Sequence, residues 1–148
     1  MFNLSAFLVE NAVLVENIKV AVSNRFLSNE KDENGKPKPI EWEIRTIDSA
    51  ADEAIRKDCT KRVPIPGKKH QFTRELDSDA YLGRLAVACT VFPNLNDKEL
   101  QDSYHVMGAD ALLKAMLTPG EYANYLIKIQ EICGFDVNFQ DEVDEAKN

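Results

Sequence analysis

The sequence predicts an α+β protein: an N-terminal helix and antiparallel β-hairpin followed by a mainly α-helical bundle. Three observations carry this reading. Apolar and polar residues alternate over 18–22 and again over 40–44, the two-residue period of a half-buried strand. A stretch rich in Asn, Gly, Pro and charge separates the two runs and reads as a turn. From residue 48 onward apolar residues recur at three- and four-residue steps. Strands are therefore not interleaved with helices, which argues against a βαβ sheet. A length of 148 residues fits one domain: 1–47 helix plus hairpin, 48–135 the helical part, 136–148 an acidic tail.

In chain order, Asn3 or Ser5 can cap a first helix over residues 5–13, with Phe7, Leu8, Ala12 and Val15 on its apolar side. Ile18, Val20 and Val22 then alternate with Lys19, Ala21 and Ser23. In the segment 28–39, Asn34-Gly35 marks a turn, and Pro37 and Pro39 are expected to keep a strand ladder out. Ile40, Trp42 and Ile44 resume the alternation, so the two runs pair as a hairpin with a long tip. Trp42 should pack one face of that hairpin against the helices.

Asp48 or Ser49 can cap the next helix, and Asp52 and Glu53 suit its first turn through the helix dipole. Pro64 and Pro66 stop it, because each disfavours helical geometry in its predecessor. Residues 63–76 read as a loop or short extended piece. Asp77 or Ser78 opens a helix whose face of Tyr81, Leu82, Leu85, Ala86, Ala88, Cys89 and Phe92 is broad enough for the central, most buried one. Pro93 ends it.

Asn96 with Glu99 three residues on reads as a capping box, followed by the stripe Leu100, Tyr104 and Met107. Gly108 interrupts before a short helix over 109–117. Thr118 caps the last helix, and Pro119 occupies its first position, where a missing N–H does no harm. Tyr122, Tyr125, Leu126, Ile129, Ile132 and Cys133 follow at helical spacing, and Gly134 is placed for a left-handed stop. In the tail, Phe139 and Val143 lie four apart, compatible with a weak final helix.

Chemistry-bearing motifs are scarce. The six glycines at 35, 67, 83, 108, 120 and 134 stand alone, so no phosphate-cradling loop is present. Cys59, Cys89 and Cys133 lack metal-ligand spacing. An odd count without a secretory signal argues for free thiols in a reducing cytoplasm, packed as small hydrophobes. His70 and His105 are isolated from each other in sequence, and no spacing supports a Cys/His nucleophile pair. Acidic pairs such as Asp77 and Asp79 sit at a helix start, where stability alone explains them. The reading is a non-enzyme with no cofactor and no metal. No apolar run approaches the roughly 20 residues needed to cross a bilayer.

The net charge is −7, from 18 basic and 25 acidic residues, which opposes nucleic acid or an anionic membrane as partner. That charge is unevenly spread. Residues 1–95 hold 14 of each sign, whereas 96–148 hold 4 basic and 11 acidic residues. Between Arg56 and Arg74 seven basic residues face one acidic residue. Arg56, Lys57, Lys61 and Arg62 in that stretch, and Asp141, Glu142, Asp144 and Glu145 in the tail, are candidate partner-binding groups. Both stretches are equally readable as solvated surface. Tyr104, Tyr122 and Tyr125 could form a partner-binding stripe, because tyrosine joins apolar area to a polar tip. Packing at the core or its edge is the competing reading and the favoured one.

Longer strings say more. Residues 56–63 (RKDCTKRV), 81–88 (YLGRLAVA) and the run from 91 to 135 resemble the XkdN-like phage tail assembly chaperones of contractile-tailed phages and phage-like elements of Gram-positive bacteria. PNLNDKELQDSY at 93–104 and MLTPGEY at 116–122 are the most specific parts. The N-terminal region with Trp42 is similar to that family too. His105 departs from the resemblance, standing where a small residue is expected.

The resemblance implies a non-catalytic protein in the cytoplasm of the bacterial host. It implies binding of the tape measure protein before the tail tube forms around it, presentation of tail tube protein, and absence from the finished particle. A structural adaptor or completion protein retained in the particle is the alternative. A homo-oligomer, formed by strand addition at the hairpin edge, is a further expectation.

Overall fold

A computed structural model describes residues 4–135. The order is a 3-10 turn (Leu4–Phe7), strands β1 (Ile18–Val20), β2 (Leu27–Lys31), β3 (Pro37–Pro39) and β4 (Trp42–Ile44), helix α1 (Ser49–Asp58), strands β5 (Thr60–Pro64) and β6 (Phe72–Leu76), helix α2 (Ser78–Cys89), strand β7 (Thr90–Phe92), and helices α3 (Lys98–Ser103), α4 (Ala109–Met116) and α5 (Pro119–Ile132). Helices thus mix with antiparallel sheets, the α+β class. The possible helix around Phe139 and Val143 lies outside the described residues.

The sheets are small: β1-β4-β7, β2-β3 and β5-β6. Ile18 pairs with Ile44 and Val20 with Trp42, while Thr90 and Phe92 of β7 take the other side of β4. As the middle strand, β4 is the one whose Trp42 and Ile44 are buried. Helix α2 packs on α1, α4 and α5. Trp42, Ile44, Leu85, Leu112, Leu113, Tyr125 and Ile129 form the core. Burying an Ile or Leu there stabilises the fold by about 1.5–3 kcal/mol per side chain. Gly83 allows a close approach between α2 and α5: a methyl at that position would stand 3.2 Å from the Tyr122 hydroxyl.

Several expectations are corrected. Among the described residues at the N-terminus, only Leu4–Phe7 is helical, as a 3-10 turn. A helix this short needs tertiary packing, and Phe7, at 81% exposure, has none. Pro37 and Pro39 do join a ladder, pairing with Lys31 and Leu27. Their neighbours make the bonds: Ile40 N–H donates to the Phe26 carbonyl at 2.7 Å, and Asp32 N–H to that of Lys36 at 2.8 Å. The proline nitrogens therefore fall on the side of the strand facing away from β2, where no N–H is required.

Residues 63–76, expected as a loop or short extended piece, are extended at both ends, where β5 and β6 pair as a second hairpin. Its end is closed by the Ile65 N–H to Gln71 carbonyl bond at 3.0 Å, with Gly67 and His70 in left-handed conformation. Helix α2 ends at Cys89, three residues before Phe92, because Thr90, Val91 and Phe92 leave as β7. The cap of α3 is Asp97, not Asn96: its carboxylate accepts from Leu100 N–H at 2.9 Å. His105 turns left-handed just beyond α3, so Met107 leaves the expected stripe and stands 92% exposed.

Thr118 and Glu121 form a reciprocal capping box on α5. Glu121 N–H donates to Thr118 Oγ1 at 3.3 Å, and Thr118 N–H to Glu121 Oε1 at 2.9 Å. Arg25 reaches across to Glu121 Oε1 at 3.1 Å and to the Met116 carbonyl, tying the segment after β1 to the α4–α5 junction. Hydrogen bonds from Ser23 first, then the Thr118 backbone and Arg25, hold the Glu121 carboxyl down at about 2.

Candidate partner-binding surfaces

Of the three tyrosines, Tyr125 is at the core, 2% exposed. Its ring meets Trp42 edge-on with centroids 5.2 Å apart, and its hydroxyl lies 2.5 Å from Thr90 Oγ1. Burial raises its pKa above the ordinary tyrosine value. It has no surface to offer. Tyr104 caps the C-terminal end of α3 and Tyr122 stands beside Gly83; both are half-buried. The three do not make one exposed stripe.

The basic candidates also separate. Arg56 is spent inside a network: its Nε donates to Asp52 Oδ2 at 2.9 Å and its Nη2 to the Tyr81 hydroxyl at 3.1 Å. The Tyr81 hydroxyl donates in turn to Asp52. Burial works to raise the Asp52 pKa, but the bonds from Tyr81 and Arg56 outweigh it and the net shift is downward. Burial, then the Asp52 contact, pushes Tyr81 up to about 12. Arg56 thus fastens α1 to α2. Lys57, Lys61 and Arg62, by contrast, are exposed. With Thr60 and Arg74 they line an open cleft of about 440 Å³. Asp141, Glu142, Asp144 and Glu145 lie outside the described residues.

One surface escaped the sequence reading. Leu4, Phe7, Val9, Val13, Leu14 and Val15 are all exposed, Val13 to 98%. They form an apolar strip leading into β1. The signal lies in the run AVLV at 12–15, of which helical periodicity places only Ala12 and Val15 on an apolar side and leaves Val13 and Leu14 without a role. At the opposite edge of the same sheet, Val91 and Phe92 are exposed as well, and Phe92 borders a groove of about 470 Å³ with Asn94, Asp97, Glu99, Leu100 and Ser103.

Among the described residues, no group of three or more His, Cys, Asp or Glu is placed to hold a metal ion. No helix there is long and apolar enough to cross a membrane. His70 and His105 sit on exposed turns. Cys89 and Cys133 bring their sulfurs within 3.6 Å, and burial, followed by the Cys133 contact, pushes the Cys89 thiol up to about 12.

The arrangement is that of a small α+β protein whose distinctive groups are spread over apolar and charged surfaces suited to protein partners. The chain belongs to the phage XkdN-like tail assembly chaperone family, whose model matches residues 4–147. It is 32% identical to the uncharacterized protein YqbN of Bacillus subtilis strain 168, over 100% of this chain and 95% of that protein. It is 30% identical to the phage-like element PBSX protein XkdN of the same strain, with the same coverage. The crystal structure of YqbN is similar in fold, with TM-score 0.72 and 30% identity, covering 92% of this chain and 99% of YqbN.

Proposed function

We propose that this protein is a non-catalytic chaperone in the cytoplasm of the bacterial host. It binds the tape measure protein, keeps it soluble while tail tube protein assembles around it, and is absent from the finished particle. The observation that carries this reading, beside the family, is the exposed apolar strip from Leu4 to Val15. In a protein of net charge −7, that strip offers an amphipathic helical client apolar area on a carrier whose charge keeps it in solution. Many copies along one long client would make weak individual contacts sufficient.

Co-expression tests it. The tape measure protein should be recovered in the soluble fraction and co-purify with the wild-type chain, and lose both properties with Phe7→Ser/Val13→Ser. Mass spectrometry of purified tails should find no copy of the chain. Finding it there at fixed stoichiometry favours the retained adaptor or completion protein. Absence of any tape measure co-purification sinks the chaperone reading.

The sheet edges favour a homo-oligomer as well. Both outer edges of β1-β4-β7 are unpaired among the described residues, and an unpaired edge is a template for strand addition. Light scattering on wild type and Ile18→Pro decides. A smaller species for the variant with unchanged circular dichroism supports edge pairing, and equal sizes remove it.

A further inference from the structure

We propose that the acidic segment 136–148 docks in cis into the basic cleft beside the β5–β6 hairpin, with its carboxylates between Arg62 and Arg74. The first observation is a conflict in the hairpin. Arg62 and Arg74 are directly cross-strand partners, and like charges placed opposite each other destabilise an antiparallel pair. Both line the cleft. Among the described residues neither has a carboxylate within ion-pair distance, whereas Lys61 is held by Asp77 at 2.9 Å and Lys57 lies 3.9 Å from Glu53. The Arg62 guanidinium is supported 4.3 Å above the Phe72 ring, which fixes its fork for carboxylate recognition. Two opposed guanidiniums, that of Arg62 braced on Phe72, form a receptor for an anion, and filling it relieves their repulsion.

The second observation is where the chain leads. Phe135 borders a cavity with Asp48, Ser49 and Asp52, at the N-terminal end of α1. The basic cleft begins with Lys57, on the last turn of the same helix, and Thr60 just past it. The ten residues of α1 separate the two by about 15 Å. Asp141 follows Phe135 by six positions and Glu145 by ten, a fully extended reach of about 20–35 Å. The acidic quartet therefore spans the distance required. Tethering presents these carboxylates at an effective concentration on the order of millimolar, so a weak contact suffices. The inference does not depend on the identity of any client.

The test uses the full chain. Unlabelled and uniformly 15N-labelled protein are mixed, treated with a water-soluble carbodiimide, and digested for mass spectrometry. Coupling of Lys61 to Asp77 serves as an internal control. The expected products join Lys57 or Lys61 to a peptide holding Asp141–Glu145, with both halves carrying the same isotope, and are lost in Arg62→Gln/Arg74→Gln. Mixed-isotope products, which place the tail on a second copy, overturn the proposal, as does the lack of any tail product. A second measurement reads the relieved repulsion. In a full-length chain carrying Asp141→Asn/Glu142→Gln/Asp144→Asn/Glu145→Gln, Arg74→Gln should raise Tm by about 1–4 °C, whereas with the native tail it should lower Tm. A shift of the same sign in both refutes tail docking.

Discussion

Replacing Thr90 by Val should destabilise the protein more than replacing Tyr125 by Phe, although both remove the same hydrogen bond. Thr90 Oγ1 lies 2.7 Å from the Ala86 carbonyl and 2.5 Å from the Tyr125 hydroxyl. The threonine hydroxyl donates to the carbonyl, so the tyrosine hydroxyl is the donor in the second bond. Tyr125→Phe deletes that donor and leaves Thr90 still bonded to Ala86, a loss of about 0.5–1.5 kcal/mol. Thr90→Val strands the Tyr125 hydroxyl at a 2% exposed position, with a desolvation penalty of about 1–3 kcal/mol. The Ala86 carbonyl keeps the backbone N–H of Thr90, so it adds little to the difference. Valine otherwise suits a strand such as β7. The double variant should be close to Tyr125→Phe alone, giving a coupling of about 1 kcal/mol or more. Urea titrations of the four proteins give these values directly. Equal penalties, or additive ones, would refute the donor assignment. A loss of client binding by Tyr125→Phe at unchanged stability would refute the placement of Tyr125 as a purely internal residue.

Acid should reveal Glu121. Its carboxyl is held near 2, against an ordinary value of 4.5, so its contribution is complete above pH 4.5 and lost as pH falls from there toward 2. Thermal melts should show a steeper loss across that window for wild type than for Glu121→Gln, and parallel curves would contradict it. Thr118→Ala removes one arm of the capping box and should lower the unfolding free energy by about 0.5–2 kcal/mol with an unchanged urea m-value. For the thiols, Cys89 is buried with its pKa near 12 while Cys133 is half-buried, so iodoacetamide at pH 8 should alkylate Cys133 first. Cys89 modified first in the native state would count against the packing of α2 on α5.

What could be read from the sequence follows from what each element buries. Helix α5 announces itself because Thr118, Pro119 and Glu121 are local signals acting within one turn, and Tyr125 and Ile129 add a buried face. Helix α2 is legible for the same reason, through Asp77 and the Tyr81–Leu85–Cys89 spacing. The β5–β6 hairpin is not, since Thr60, Lys61, Arg62, Thr73 and Arg74 are all exposed and no apolar alternation records their pairing. That pairing puts Arg62 opposite Arg74, so the charge conflict was invisible as well. At the N-terminus the reverse holds: apolar residues were visible, but periodicity cannot say whether anything lies against them. Arg25, which clamps Glu121 from 96 positions away, carries no sequence signal at all.

The division between core and surface bears on how such a protein can serve a long client. Its stability resides where α2 meets α4 and α5 and where Trp42 of β4 meets Tyr125, in side chains with no exposure to spare. The apolar strip at 4–15 shares no residue with that core, and the Phe92 groove touches it only through Leu100. Side chains as exposed as those of the strip contribute little to folding, so their apolar character is that of an interaction surface. The charged cleft at Arg62 and Arg74 goes further, since its arrangement works against the hairpin that carries it. Surfaces neutral or unfavourable to folding, built on a core that does not need them, can be covered and uncovered without unfolding the carrier. That separation suits the role proposed above, in which a client is bound and then released.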